Sequence, residues 1–427
     1  MLKKKEIFVT AFALFSLFFG AGNLILPSLL GFNAGNQWLI ITIGFSISAV
    51  IIPILGILAH AKLQGTLIDF GKKISPTFSV IYAFLIYSIS ITLPSPRTAS
   101  VTHEMAIQPF WDISSWFTSS IYFGLVLVFA MNRSKILGIL GKILTPAIIL
   151  ILLLVIGITV FSFSFDFGTT TITSPFTNGI LEGYQTFDAI GAVVVGGVII
   201  ISINLRHKNA TYEDKKSLIR SAGWLAGLAL FLIYLGLILS GALVHDNFDA
   251  NTTRTALLSG LTINSLGTIG NFFLSILVGV ACFTTAVGIV TGTADFVRSR
   301  FNDSQLAYTI TAITGSILGV LMGQFNVGYI IAVALPALMF IYPITIILIL
   351  LNVTPEKYAS PLVFRAVTIV TFIFSIPDFL GSINTVDIAK DTFSWIPLQP
   401  YSLGWVLPAF LVFVITNVLT QKKPNSI

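Results

Sequence analysis

The sequence predicts an all-α membrane protein of about 12 transmembrane helices, with the N- and C-termini cytoplasmic. Three observations carry that expectation. Of the 427 residues, 55% are hydrophobic and only 9% charged, whereas soluble domains carry roughly 25% charged residues. The apolar residues run in stretches of about 20, the length a helix needs to cross a hydrocarbon core of about 30 Å, and lack the alternating pattern of an outer-membrane barrel. Basic residues concentrate in every second polar gap between the stretches.

The first apolar segment, 7–30, follows the basic start Met1-Leu2-Lys3-Lys4-Lys5. It is too long for a signal peptide and no small-residue cleavage site clearly follows, so it reads as a retained span. Spans 2 to 5 are 38–60, 77–96, 115–131 and 138–161; spans 6 to 10 are 180–204, 219–244, 268–297, 305–323 and 327–351; spans 11 and 12 are 362–381 and 401–420. The longest stretches between spans, near 97–114, 162–179, 205–218 and 245–267, are too short to bury a core of their own. Residues 1–427 therefore read as a single polytopic domain. With the N-terminus inside, cytoplasmic segments hold Lys3, Lys4, Lys5, Lys62, Lys72, Lys73, Arg133, Lys135, Lys142, Arg206, Lys208, Lys215, Lys216, Arg220, Arg298, Arg300, Lys357, Arg365, Lys422 and Lys423, twenty of the 23 basic residues. That is the positive-inside asymmetry. Only Arg97, Arg254 and Lys390 fall outside, so the net charge of +6 is a topology signal and not a nucleic-acid footprint.

Two spans carry helix-breaking clusters. In span 1, FFGAGNLILP places Gly20, Gly22, Asn23 and Pro27 inside an apolar run; in span 6, LEGYQTFDAIGA places Gly183, Gln185, Thr186, Asp188 and Gly191 at the start of an apolar helix. Paired interruptions in corresponding positions of two halves point to a transporter's binding site. Five spans separate them, and a repeat with an odd number of spans enters the membrane the opposite way the second time. The expectation is an inverted 5+5 repeat, 7–161 and 180–351, with 362–420 as two additional helices. At a break, freed carbonyls suit a cation and a half-helix N-terminus suits a carboxylate. The competing reading, glycines that only allow close helix packing, is outweighed by Asn23 and by the matching break in span 6.

A third cluster lies on span 8, where Ala281, Thr284 and Thr285 are spaced i, i+3, i+4 and share one face. Two adjacent hydroxyls can ligate a small hard cation or bond back to their own helix carbonyls; both readings stand. Other function classes find little support. Cys282 is the only cysteine, so no intrachain disulfide forms, and no metal-site signature occurs. His60, His103, His207 and His245 fall at span ends, with no protease constellation. No GxxxxGK[ST] loop is present to drive an ATP pump, and one pair of breaks in a single long chain argues against a channel. The chain is not an enzyme.

FFGAGNLILP, GYQTFDAIGA and LPSPRTASVTHEM at 93–105 resemble the branched-chain amino acid:cation symporters of bacteria, the LIVCS family with its BrnQ-type carriers, over the whole chain. The resemblance implies a LeuT-type fold of the amino acid–polyamine–organocation superfamily and Na+-coupled uptake of leucine, isoleucine and valine across the bacterial cytoplasmic membrane. It implies membrane lipid as surroundings, no nucleic acid, no obligate protein partner and no cofactor beyond the coupling ion. GAGN at 20–23 is similar to the GxGN of sodium-coupled relatives of that fold, in which backbone amides hold the substrate carboxylate; this corresponds to Ala21 and Gly22. The substrate set is then Gly20, Ala21, Gly22, Asn23, Thr186, Phe187 and Asp188. The fold's second sodium site corresponds to the carbonyls of Ser16, Phe19 and Ala281 and the hydroxyls of Thr284 and Thr285. Span 7 offers no clear match to the other sodium site, so one sodium is expected.

Several single residues keep open readings. Asp188, an acid inside the expected bilayer, costs about 2.5–3.5 kcal/mol at mid-depth if unpaired. It can hold the substrate ammonium, ligate a cation, carry a proton in an H+-coupled alternative, or cap span 6. Glu182 is expected to be solvated near the outer mouth. Arg97 follows two prolines that should end or bend span 3 and is expected to pair with Glu104. Asp295 lies near Arg298 and Arg300, as a solvated helix end or a gate. Phe18, Phe19 and Phe187 are candidates for an apolar side-chain pocket.

Overall fold

The computed structural model describes residues 4–132, 136–206, 210–383 and 393–421, and every regular element among them is helical. Lys3, Arg133, Lys135, His207, Lys208, Lys390, Lys422 and Lys423 lie outside the described residues. Among those described, eight helices are long and apolar enough to cross a membrane, and two more apolar helices are shorter.

The first apolar segment forms two helices, α1 (Lys4–Phe18) and α2 (Ala21–Ala34). The second is one rod, α3 (Trp38–Ser46), a π-helical turn and α4 (Ile52–Leu63). The third bends at Leu93 between α5 (Pro76–Thr92) and α6 (Pro94–Thr102). Pro94 and Pro96 sit in the first turn of α6, where an amide hydrogen is not needed, so they bend the segment without ending it. Then come α7 (Ser115–Met131), α8 (Ile136–Ser162), α9 (Pro175–Tyr184), α10 (Asp188–Arg206) and α11 (Tyr212–Leu243). The remaining helices are α12 (Arg254–Arg300), α13 (Gln305–Gly323), α14 (Val327–Val353), α15 (Pro361–Ser382) and α16 (Val406–Gln421). Polar gaps set the helix starts chemically: the side chains of Ser75, Ser114, Thr211, Thr253, Ser304, Asn326 and Ser360 each accept a backbone N–H of the turn they begin. α12 starts inside the 245–267 gap and turns at Gly267, whose φ of 70° is a left-handed conformation open to glycine at no steric cost.

Packing around the breaks relies on small residues. A Cβ on Gly31 or Gly241 would run into the carbonyl of Ile238 or of Ser28, so α2 and α11 meet backbone to backbone. One buried cluster joins α1, α2, α11 and α12 around Phe15, Tyr234 and Leu274; a second joins α10, α14 and α15 around Tyr184, Tyr342 and Phe364. Large apolar side chains such as Phe84, Leu150 and Leu419 are exposed, as a lipid-facing surface requires.

The two ends of the bundle differ. At one, Lys62 and Lys73 reach Glu356 at 3.2 and 2.5 Å, Lys62 also donates to the Thr354 carbonyl at 2.6 Å, and Arg365 donates to the Ile74 carbonyl at 2.9 Å. At the other, a vestibule of about 1080 Å³ opens between α6, the start of α12 and the α13–α14 turn, and reaches Gln185.

Candidate functional site

The site forms where the two broken segments meet. In the first, Gly20 is extended (φ −104°, ψ −173°) and no side chain caps α2, which leaves the N–H groups of Ala21, Gly22 and Asn23 in its first turn without intrahelical partners. In the second, Gln185–Phe187 separate α9 from α10, with Phe187 at φ 63°. The Thr186 hydroxyl donates to the Gly183 carbonyl at 2.8 Å and accepts the Asp188 N–H at 3.2 Å. Asn23 Nδ2 donates to Asp188 Oδ2 at 2.7 Å, joining the breaks across 165 residues of sequence. Tyr234 of α11 accepts a second hydrogen from Asn23 Nδ2 and donates to Asp188 Oδ2 at 3.4 Å. All three side chains are buried.

Two expectations about this region are corrected. Gly22 does not leave helical geometry: the backbone departs at Phe19 and Gly20, and Gly22 already belongs to α2. What its missing side chain provides is space, because a Cβ there would overlap the Arg97 guanidinium. Arg97, in turn, does not pair with Glu104. Because α6 continues past its prolines, it carries Arg97 inward to 3% exposure. There Nη1 donates to the Gln185 carbonyl at 2.6 Å and the guanidinium lies 5.1 Å over the Phe187 ring. Nε has no partner, and Arg97 forms no salt bridge among the described residues. Glu104 instead accepts the Thr255 hydroxyl at 2.6 Å and the Val327 N–H at 2.8 Å.

Glu182 is not simply solvated either. Arg254 Nη2, from the vestibule lining, stands 3.1 Å from both its carboxylate oxygens; in the sequence one residue starts span 6 and the other lies in the 245–267 gap, and nothing marks them as neighbours. Asp295 is half-buried, while Arg298 reaches Asp303 and Arg300 lies over the Phe296 ring.

Phe18, Phe19 and Phe187 are buried. Thr284 and Thr285 donate to the Ala281 carbonyl at 3.0 and 2.9 Å, which spends their hydrogens and leaves oxygen lone pairs free. Thr285 Oγ1 is 3.9 Å from where a Gly20 Cβ would stand, so the span-8 face borders the first break. The Ser16 hydroxyl accepts that of Thr145 at 2.7 Å, and the Gly20 N–H turns to the Phe18 carbonyl at 2.9 Å, which releases the Ser16 carbonyl as the candidate ligand. Neutral carbonyl and hydroxyl oxygens are the donor chemistry of a small hard cation. Tyr234 is the residue that sequence reasoning missed, because a tyrosine in an apolar helix carries no separate mark, and Arg97 was named but given the wrong partner.

The sequence profile described as "Branched-chain amino acid transport protein" matches residues 3–423. A curated relative, the branched-chain amino acid permease BraB of Bacillus subtilis, is 32% identical over 434 residues, covering 98% of this chain and 96% of its own. Among solved structures, the inward-facing conformation of Mhp1 superposes with a TM-score of 0.62 at 10% identity, covering 97% of this chain and 91% of its own. The substrate-bound outward-open state of a Na+-coupled sialic acid symporter gives 0.59 at 12% identity, covering 97% and 90%. These likenesses show a LeuT-type fold.

Proposed function

The chain belongs to the branched-chain amino acid transport protein family, a family of membrane transporters and not enzymes, and from that premise we propose that it is a secondary active symporter. It imports leucine, isoleucine and valine with Na+ across the bacterial cytoplasmic membrane by alternating access. In this reading twelve spans form an inverted 5+5 repeat plus two helices, both termini are cytoplasmic, and the lysine-rich end faces the cytoplasm.

The observation that carries the proposal is a guanidinium and a carboxyl, Arg97 and Asp188, both buried where two broken helices meet beside Gln185, which the vestibule reaches. A zwitterion fits that arrangement. Its carboxylate meets the free N–H groups of Ala21 and Gly22 and the Arg97 guanidinium; its ammonium meets Asp188, steered by Asn23 and Thr186. Its branched side chain lies against Phe18, Phe19 and Phe187. Na+ takes the carbonyls of Ser16, Phe19 and Ala281 and the hydroxyls of Thr284 and Thr285. Two neutral donors already serve Asp188 Oδ2, which fixes the carboxyl that receives the ammonium.

The test is radiolabelled leucine uptake into proteoliposomes with imposed gradients. Uptake should follow an inward Na+ gradient and cease when choline replaces Na+ at fixed pH. Full uptake in choline driven by a pH gradient would overturn sodium coupling, and no leucine uptake under any gradient would overturn the substrate.

A further inference from the structure

A second buried carboxyl lies away from the two breaks. Asp378, near the end of α15, is 3% exposed, and neither of its carboxyl oxygens has a hydrogen-bond partner. Beside it stand the Gly404 backbone and Tyr184 of α9. The Trp405 indole neighbours the Tyr184 hydroxyl, yet Trp405 Nε1 and the Tyr184 hydroxyl also lack hydrogen-bond partners. The Tyr184 ring stacks on Tyr342 of α14 with centroids 4.4 Å apart. The Tyr342 hydroxyl, unpartnered in the same sense, faces Thr186, Asp188 and Ala189 at the second break. A line of buried polar groups thus runs from the break out to α15.

Buried polar groups left without partners in a native protein call for an explanation, commonly a water or an ion, and a bare carboxylate in such surroundings costs several kcal/mol. A basic side chain, a metal cation or a proton can neutralise it. Asp378 has no salt bridge among the described residues. Arg365, the other ionisable group on α15, lies about 20 Å along the axis at 1.5 Å per residue and serves Ile74. α16 carries no ionisable side chain, and the titratable groups facing Asp378 from α9 and α14 are the tyrosines just named. The Gly404 N–H beside the carboxyl presents a hydrogen and not a lone pair, an arrangement that disfavours a metal ion.

We propose that Asp378 is a proton-binding site of the carrier, outside the five-plus-five core, whose occupancy is felt at the second break through the Tyr184–Tyr342 stack. The bound proton comes from water and forms one O–H bond at the carboxyl; no electron moves. Only the effect on transport rests on the symporter reading; the binding itself does not.

Infrared difference spectra of the full-length protein in liposomes, taken between alkaline and acid buffer, read protonation without transport. Acidification should raise a protonated-carboxyl C=O band that is lost in Asp378→Asn and kept in Asp188→Asn. Where Asp378→Asn fails to insert, Asp378→Glu should shift the band. Sodium-driven leucine uptake in Asp378→Asn should lose its pH dependence. A band untouched by either Asp378 variant overturns the site, and a pH dependence unchanged in Asp378→Asn overturns its link to the break. A titrating Asp378 band in a protein that transports no leucine overturns the symporter reading alone.

Discussion

The two breaks that meet at the site are made of opposite materials. The first uses Phe19 and Gly20 and leaves the N-terminal amides of α2 uncapped, so a ligand can approach bare backbone. The second uses Gln185, Thr186 and Phe187, and its backbone is already engaged: the Gln185 carbonyl by Arg97, the Asp188 N–H by Thr186. Phe187 holds a left-handed conformation that costs a bulky residue about 1 kcal/mol or more, and it gains a place under the Arg97 guanidinium. One break thus offers backbone and the other side chains. In the proposed function, the carboxylate meets the first break and the ammonium the second, with the variable side chain between Phe18, Phe19 and Phe187.

Four variants break or sharpen this contrast. The largest effect belongs to Gly22→Val, which drives a side chain into the Arg97 guanidinium. Leucine binding should weaken at least 100-fold, about 2.7 kcal/mol, while the protein still inserts, and leucine amide should compete poorly in the wild type. Normal leucine binding by the variant, or an amide that competes as well as leucine, would reduce the first break to a packing device. Asp188→Asn keeps size and deletes charge. Hydrogen bonds to charged groups contribute about 1.5–3 kcal/mol, so uptake at normal membrane abundance should fall roughly 10- to 100-fold; wild-type uptake would leave Asp188 as the cap of α10. Phe187→Gly relieves the backbone but empties its side of the pocket. The preference for leucine over alanine, measured by competition, should drop about tenfold, and an unchanged preference would move the pocket elsewhere. The smallest effect is expected of Thr284→Ala with Thr285→Ala, seen as a several-fold rise in the sodium concentration for half-maximal uptake. An unchanged value would mean that these hydroxyls serve only the Ala281 carbonyl.

The helices and their breaks were legible because lipid makes the penalty for glycine, asparagine or aspartate in an apolar run large enough to leave a mark in composition. Asn23 and Asp188 were named from that mark, and they hydrogen-bond to each other. Arg97 was misread because Pro94 and Pro96 look like a helix end, whereas prolines in a first turn start a helix equally well. Tyr234 gave no separate signal, since tyrosine passes for an apolar residue until its hydroxyl is placed. Asp378 met the same criterion as Asp188 and was overlooked because no glycine cluster accompanies it. The vestibule and the Glu182–Arg254 pair depend on the relative placement of helices distant in sequence, which periodicity does not encode.

The tie between Lys62, Lys73 and Glu356 has a kinetic consequence. The carboxylate that holds both lysines is 67% exposed, and exposed pairs contribute only about 0–1 kcal/mol each. Ordinary thermal motion can therefore undo such a seal on the microsecond-to-millisecond scale of collective movements. Mobile ions screen it as well, with a Debye length of about 8 Å at physiological ionic strength. In the proposed alternating-access cycle, salt on that face would lower the barrier to opening there, while the polar contacts buried at the breaks, out of reach of those ions, would keep their grip.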